Sequence, residues 1–373
     1  MSHENELPLY IRLSQLFLGI IALFYVLYIG QEIIVPILFA LIIAILLNPL
    51  VNLLNRKINR IVSITIAVTL ATILTFGLLF FIGSQATMFS DSWPQLKIKF
   101  TEIIAQTIQW LASTFNISTN QINAWIATTK AEGLSNSTSV IGQTLSTLGG
   151  VFVVIFLIPV YIFLFLLYKP LLLNFIAKLF TPGKHEAVVD VLNETKLLIQ
   201  HYLVGLMLEF LMVSALNTIV LLLLGIEYAL LIGVVGGLLN IIPYIGGIVA
   251  ISIPMLLAIA TKEPIYAIYV LGGYTIVQLI DNNIINPMVV AAKVQINALV
   301  SIIVVLIGGA LWGVSGMFLS LPVTAIIKVI FDKIKSLEPF GYLLGDTMPL
   351  MNGSVFIFGK KAKKHHGFTE ETK

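Results

Sequence analysis

Long uninterrupted apolar runs alternate along the chain with short polar gaps. The runs lie near residues 11–29, 33–54, 61–82, 148–167, 203–224, 228–260, 264–285 and 296–330. Each reaches the roughly 20 residues that a helix needs to cross the hydrocarbon core of a bilayer. None alternates apolar and polar every second residue, as strands of a membrane barrel do. The pattern therefore predicts an all-α, polytopic membrane bundle of about eight transmembrane helices. The sixth and last runs are too long for one straight crossing and must tilt, break or continue outside the membrane.

Two stretches are mixed rather than apolar. In 88–147, Trp93, Leu96, Phe100, Ile103, Ile104, Ile108 and Leu111 recur at helical spacing, and Asp91 or Ser92 ahead of Pro94 makes a helix start. This predicts an extracytoplasmic helical insert, either a packed cap or a surface that docks a partner. In 169–202, Ala187, Val188, Val191, Leu192, Thr195, Leu198 and Ile199 form one stripe after a break at Thr181, Pro182 and Gly183. These are expected to be cytoplasmic amphipathic helices lying on the membrane or the bundle. The organisation that follows is helices 1–3 over 1–87, the insert over 88–147, helix 4 over 148–168, the amphipathic helices over 169–202, a C-terminal core with broken helices over 203–332 and a basic tail over 333–373.

Composition sharpens this picture. The chain has 373 residues, 58% hydrophobic and 10% charged, against about a quarter charged in a soluble domain. Its net charge of +3 leaves no clustered basic face for nucleic acid. With no cysteine, disulfides, thiolate metal sites and cysteine nucleophiles are excluded. The first apolar run is longer than the core of a removable signal, so it is expected to stay as a membrane helix. With both termini in the cytoplasm, eight crossings leave only Lys97, Lys99, Lys130 and Lys293 outside, as the positive-inside rule requires. The tail Lys360–His366 adds basic residues that would be drawn to anionic lipid. Neither a GxxxxGK[ST] loop nor an HExxH motif occurs, and no two histidines share metal-ligand spacing inside a run. No enzyme and no cofactor are expected.

Polar groups inside the apolar runs carry the functional signal. Glu209 stands in LVGLMLEFLMVSALNTIV, with Asn217 eight residues on and near the same face. A carboxylate at that depth must be neutral, paired or wet, which marks it for coupling to protons or as a tie between helices. Two runs are interrupted alike. The first interruption carries Asn240, Pro243, Tyr244, Gly246 and Gly247; the second carries Gln278, Asp281, Asn282, Asn283, Asn286 and Pro287. Proline removes a backbone donor and clashes with the preceding turn, so both helices should kink or break. Broken helices at membrane depth must line protein or water, and they commonly aim their ends at a transported solute. Glu209, Asn240, Pro243, Tyr244, Gln278, Asp281, Asn282, Asn283, Asn286 and Pro287 are the expected transport pathway, the alternative for the second break being a surface loop. The pairs Gly233/Gly237 and Gly309/Gly313 are read as close helix packing within the chain, or between copies in a homo-oligomer.

The run GLLNIIPYIGG, followed by QLIDNNIINPMVVAAKVQINALVSIIVVLIGGALWGVSGMFLSLPVTAIIKVI, resembles the autoinducer-2 exporter family. That family has eight spans, a soluble insert after the third and its best-preserved motifs in the C-terminal half. Pro243, Tyr244 and Gly246 match its PY–hydrophobic–GP pattern, with Gly247 where proline is common; Asn283, Asn286 and Pro287 match the second break, and Gly308, Gly309, Gly313 and Pro322 the last segment. The resemblance implies a bacterial inner-membrane secondary transporter moving a small polar solute such as autoinducer-2. Some relatives look instead like sodium- or lithium-for-proton antiporters, which makes a monovalent cation and a proton the alternative cargo. A non-transporting scaffold that docks a partner through 88–147 is the reading from another class.

Overall fold

The computed structural model describes residues 8–115, 156–180, 185–243, 245–290 and 296–346. It is all-α, with no strand among the described residues beyond one isolated bridge between Ile296 and Gly345. The helices are α1 (Leu9–Ile29), α2 (Gln31–Leu54), α3 (Arg60–Phe115), α4 (Phe156–Leu167), α5 (Lys169–Leu179), α6 (His185–Leu223), α7 (Ala229–Asn240), α8 (Gly246–Thr261) and α9 (Ile265–Ile280). A π-helical turn, Asp281–Ile285, leads into the short α10 (Asn286–Val289), and α11 (Ala298–Lys333) and α12 (Glu338–Leu344) follow.

Five helices are long and apolar enough to cross a membrane, or six if α4 and α5, bent by 63°, form one broken span. The eight expected crossings are not reached among the described residues: the run 148–167 is described only from Phe156, and the runs 228–260 and 264–285 give α-helices of at most 16 residues. The run 228–260 divides into α7 and α8 at the turn holding Pro243. At 1.5 Å per residue α7 is only about 18 Å long, short of the membrane core. The two halves lie side by side: a Cβ on Gly236 would sit 3.8 Å from Ala250 Cβ, and one on Gly246 would overlap the Leu239 carbonyl. The run 296–330 also folds back. Trp312 and Gly313 leave helical geometry, Gly313 with φ 60° and ψ −141°. A Cβ on Gly308 would overlap the Gly316 carbonyl oxygen and lie 3.1 Å from Ser320 Cβ, whereas a straight helix would hold residues 308 and 320 about 18 Å apart.

Some elements run on where the sequence places a boundary. α3 continues without a break from Arg60 to Phe115, through Pro94 and the start of the expected insert. α6 joins the amphipathic stripe to the fifth apolar run in one helix of 39 residues. The rest of the insert, the Thr181–Gly183 break and the basic tail from 347 onward lie outside the described residues.

Side chains pack in separate layers. Ala40, Ala44, Ile64, Ala67, Ile162 and Leu166 join α2, α3 and α4. Ile42, Tyr202, Leu206 and Leu319 join α2, α6 and α11. Leu221, Ile232, Leu257, Val270 and Tyr274 join α6 to α9. Small residues also permit close approach of α6 and α7: a Cβ on Gly233 would strike Thr218, and one on Gly237 would strike Ser214. In lipid, such contact is a main source of helix association. Gly309 lies against Met317 across the fold-back, while Gly313 has open space around it and serves as the turn itself.

Candidate functional site

The two interrupted segments meet around a cavity of about 810 Å³ between α6, α7, α8, α9 and α11. Glu209, from the middle of α6, is 5% exposed, and Asp281, first residue of the π-helical turn, is 2% exposed. Asn240, at the last turn of α7, bridges them. Its Nδ2 donates to Asp281 Oδ2 at 2.9 Å and to Glu209 Oε1 at 3.3 Å. Asn286 Nδ2 donates to the same Glu209 oxygen at 3.4 Å. Gln278 Nε2 lies 3.4 Å from Asp281 Oδ2 and 3.2 Å from Asn282 Oδ1. Asp281 Oδ1 is buried and has no partner.

The local sequence explains this geometry. Pro287 cannot donate to the carbonyl four residues back, and its ring would crowd that carbonyl. A widened π-helical turn immediately before it relieves the clash, and such turns cluster at functional positions. The turn carries Asp281 inward while Asn282 and Asn283 stay exposed. On α7 the helix ends at Asn240 because Pro243 follows, and Gly247 then lets α8 start against Gln278, whose Oε1 is 3.0 Å from where a Cβ would be.

The sequence-derived positions do not all meet in one place. Glu209, Asn240, Pro243, Gln278, Asp281, Asn282 and Asn286 line the cavity. Asn283 instead donates to the Leu279 carbonyl on an exposed face, and Pro287 is exposed beside it. Tyr244 lies outside the described residues. The lining also includes residues that the motifs did not single out, among them Tyr202, Tyr274, Ser301 and Asp346. Tyr202 is seven residues before Glu209 and Tyr274 four before Gln278, so helical periodicity places each on the face of a pathway residue. Asp346 has no such signal. It arrives because Asn297 Nδ2 donates to the Leu343 and Gly345 carbonyls at 2.7 and 3.1 Å, tying the chain after α12 to the cavity rim. Behind the cavity, Ser214 Oγ, Asn217 Oδ1 and Tyr274 Oη are buried without partners.

Chemically, the lining holds carboxylates and amides, with no lysine, arginine or histidine among the described residues. Among the described residues there is no cluster of metal-ligating side chains. Two buried carboxylates that share amide donors, with no cation among the described lining residues, would be stabilised by a proton or a small ion. The remaining donors and acceptors suit a hydroxyl-rich solute.

Broken helices around a buried polar cavity define a polytopic membrane protein of the transporter class. The chain belongs to the AI-2E transport family: the family model described as "AI-2E family transporter" matches residues 17–336. It is similar to YueF of Bacillus subtilis, 25% identical over 62% of each chain. It is also similar to YrrI of the same organism, 31% identical over 34% of this chain and 36% of that one. A third relative, the AI-2 transport protein TqsA of Escherichia coli, is 31% identical over 33% of this chain and 36% of its own. The matches thus span between about a third and under two thirds of these relatives. The family is one of multi-pass membrane transport proteins.

Proposed function

We propose that the protein is a secondary transporter of the bacterial inner membrane, with both termini cytoplasmic, that moves a small polar solute through the cavity under Glu209 and Asp281. The observation that carries this reading is the meeting of two buried carboxylates on Asn240, where the broken run 228–260 converges with the π-helical turn before Pro287 and no cation lines the cavity among the described residues. Asn240, Asn282, Asn286 and Gln278 would hold the solute's hydroxyls, and Asp281 Oδ1, unpartnered in the structure, would take a proton or a solute hydroxyl. Binding and proton release would then compete for one carboxylate pair, which is the requirement for coupling. The turn around Pro243 and the π-helical turn before Pro287 supply the places where half-helices can rock. Autoinducer-2, named for the relative TqsA, is the solute to test first, because it is small and rich in hydroxyls.

The test is flux in proteoliposomes. Purified protein is reconstituted with a trapped pH dye, a proton gradient is imposed and labelled autoinducer-2 is added. Gradient-dependent movement of label is expected, abolished in Glu209→Gln and in Asp281→Asn while both variants insert and fold. Full transport in both variants would overturn the assignment. Proton movement driven by sodium or lithium, without any response to autoinducer-2, would replace the organic solute with a cation.

A further inference from the structure

A second polar cavity, of about 350 Å³, lies away from the transport site, where the ends of α2 and α4 meet the starts of α3 and α5. Its polar lining is Asn48, Asn52, Asn55, Arg60, Lys169 and Asn174, with no acidic residue. Each cation is held in place by chemistry visible in the structure. Arg60 Nη2 donates to the Leu166 carbonyl at 2.8 Å and the Leu167 carbonyl at 3.3 Å, capping the end of α4. That leaves the donors on Nε and Nη1. Lys169 Nζ donates to Asn48 Oδ1 at 2.9 Å, which leaves two of its three donors. Asn48 is 6% exposed, and its Nδ2 is buried with no partner.

The neighbouring charges have the same sign. Burial, then the Lys196 ammonium and the Arg60 guanidinium, hold Lys169 below the usual lysine range. Collecting cations and amide donors in a half-buried pocket, with no acid among the lining residues, costs free energy unless an anion joins them. The position says which kind of anion. The pocket opens where the apolar stretches of α2, α3 and α4 end, and Leu53, Leu171 and Leu173 nearby are exposed. An acyl chain could lie on those leucines while its headgroup enters the pocket.

We propose that this pocket binds a phosphate group, held by Arg60, Lys169 and the Asn48 and Asn52 amides. Its placement at the end of the spans favours the phosphodiester of an anionic lipid headgroup over free phosphate. The site is independent of the transport reading, since none of its residues lines the first cavity.

The test uses the full-length protein, delipidated in a neutral detergent, with thermal unfolding followed as ligand is added. The probes are dioleoylphosphatidylglycerol, dioleoylphosphatidylcholine and inorganic phosphate. Phosphatidylglycerol should raise the melting temperature at concentrations where phosphatidylcholine does not. Lys169→Gln and Asn52→Asp should each weaken that response about tenfold, the effect of losing or opposing one charge-assisted hydrogen bond. Asn52 is exposed, so its variant keeps the test valid should Lys169→Gln fail to fold. Lys335→Gln, outside the pocket, should leave the response unchanged. Inorganic phosphate acting alone, with the same dependence on the variants, would support the site and make free phosphate its ligand. The proposal is overturned if neither phosphate source shifts unfolding, or if the Lys335 variant weakens the response as much as the pocket variants do.

Discussion

Asn240→Ala is the sharpest probe of the transport site. The Asn240 amide is the donor that touches both carboxylates. Its 2.9 Å contact with Asp281 lies within the range of a full hydrogen bond, while its 3.3 Å contact with Glu209 is long. Most of the loss should therefore fall on Asp281, which keeps only Gln278 at 3.4 Å. A hydrogen bond to a charged group contributes about 1.5–3 kcal/mol, so solute affinity or coupled flux should fall roughly 10- to 100-fold. Alanine is well tolerated in a helix, so α7 should still form, although loss of the bond to the buried Asp281 should lower the melting temperature, and flux is compared per folded protein. The matched control is Asn283→Ala, which loses one bond to the Leu279 carbonyl on an exposed face. Both variants would be compared as proton-coupled flux in proteoliposomes, with thermal unfolding measured alongside. If Asn240→Ala and Asn283→Ala transport equally well, the cavity is not the pathway.

Other variants test the fold. Gly205→Ala should lower thermal stability by about 1–3 kcal/mol, since its Cβ would overlap the Val289 carbonyl where α6 meets α10; unchanged unfolding would show that this approach is looser than described. Gly313→Ala should also destabilise, by roughly 1–3 kcal/mol of backbone strain alone, because φ is 60° there and nothing lies within 4 Å of the added methyl. A wild-type melting temperature would mean that the last apolar run does not fold back at this glycine. Trp312→Phe should cost about 0.5–1.5 kcal/mol, through loss of the 2.9 Å bond from Nε1 to the Leu27 carbonyl, and should loosen α1, read as faster hydrogen exchange across Leu9–Ile29.

What could be read from the sequence depended on the range of each interaction. Apolar runs report burial in lipid directly, so the helical class was legible, as was the break at Pro243; at Pro287 the helix runs on through a π-helical turn. Proline acts on its own turn, and no distant residue need be known. The joining of Asn240 to Asp281 and of Asn286 to Glu209 spans 41 and 77 positions. Only the folded arrangement of α6, α7 and the π-helical turn brings these together. Asn283 was chosen with its neighbours because it shares their composition; the helical turn, rather than composition, points it away. Gly309 and Gly313 show the opposite limit. Their spacing is that of a packing motif, yet Gly313 is present for a backbone angle that spacing does not encode.

Among the described residues no lysine, arginine or histidine lines the cavity beside Glu209 and Asp281, and this has an electrical consequence. A membrane potential acts on any net charge displaced through it, at about 2.3 kcal/mol per elementary charge per 100 mV for the full field. Loaded with a proton or a cation, the pair gives up a negative charge, and rocking of the half-helices then does correspondingly less work against the field. Unloaded, it carries that charge through whatever fraction of the field it crosses. In the proposed cycle, with two negative charges on the empty pair and one on the loaded pair, voltage would act about twice as strongly on the return of the empty site, and the polarisation of the cell would help set how quickly the protein resets.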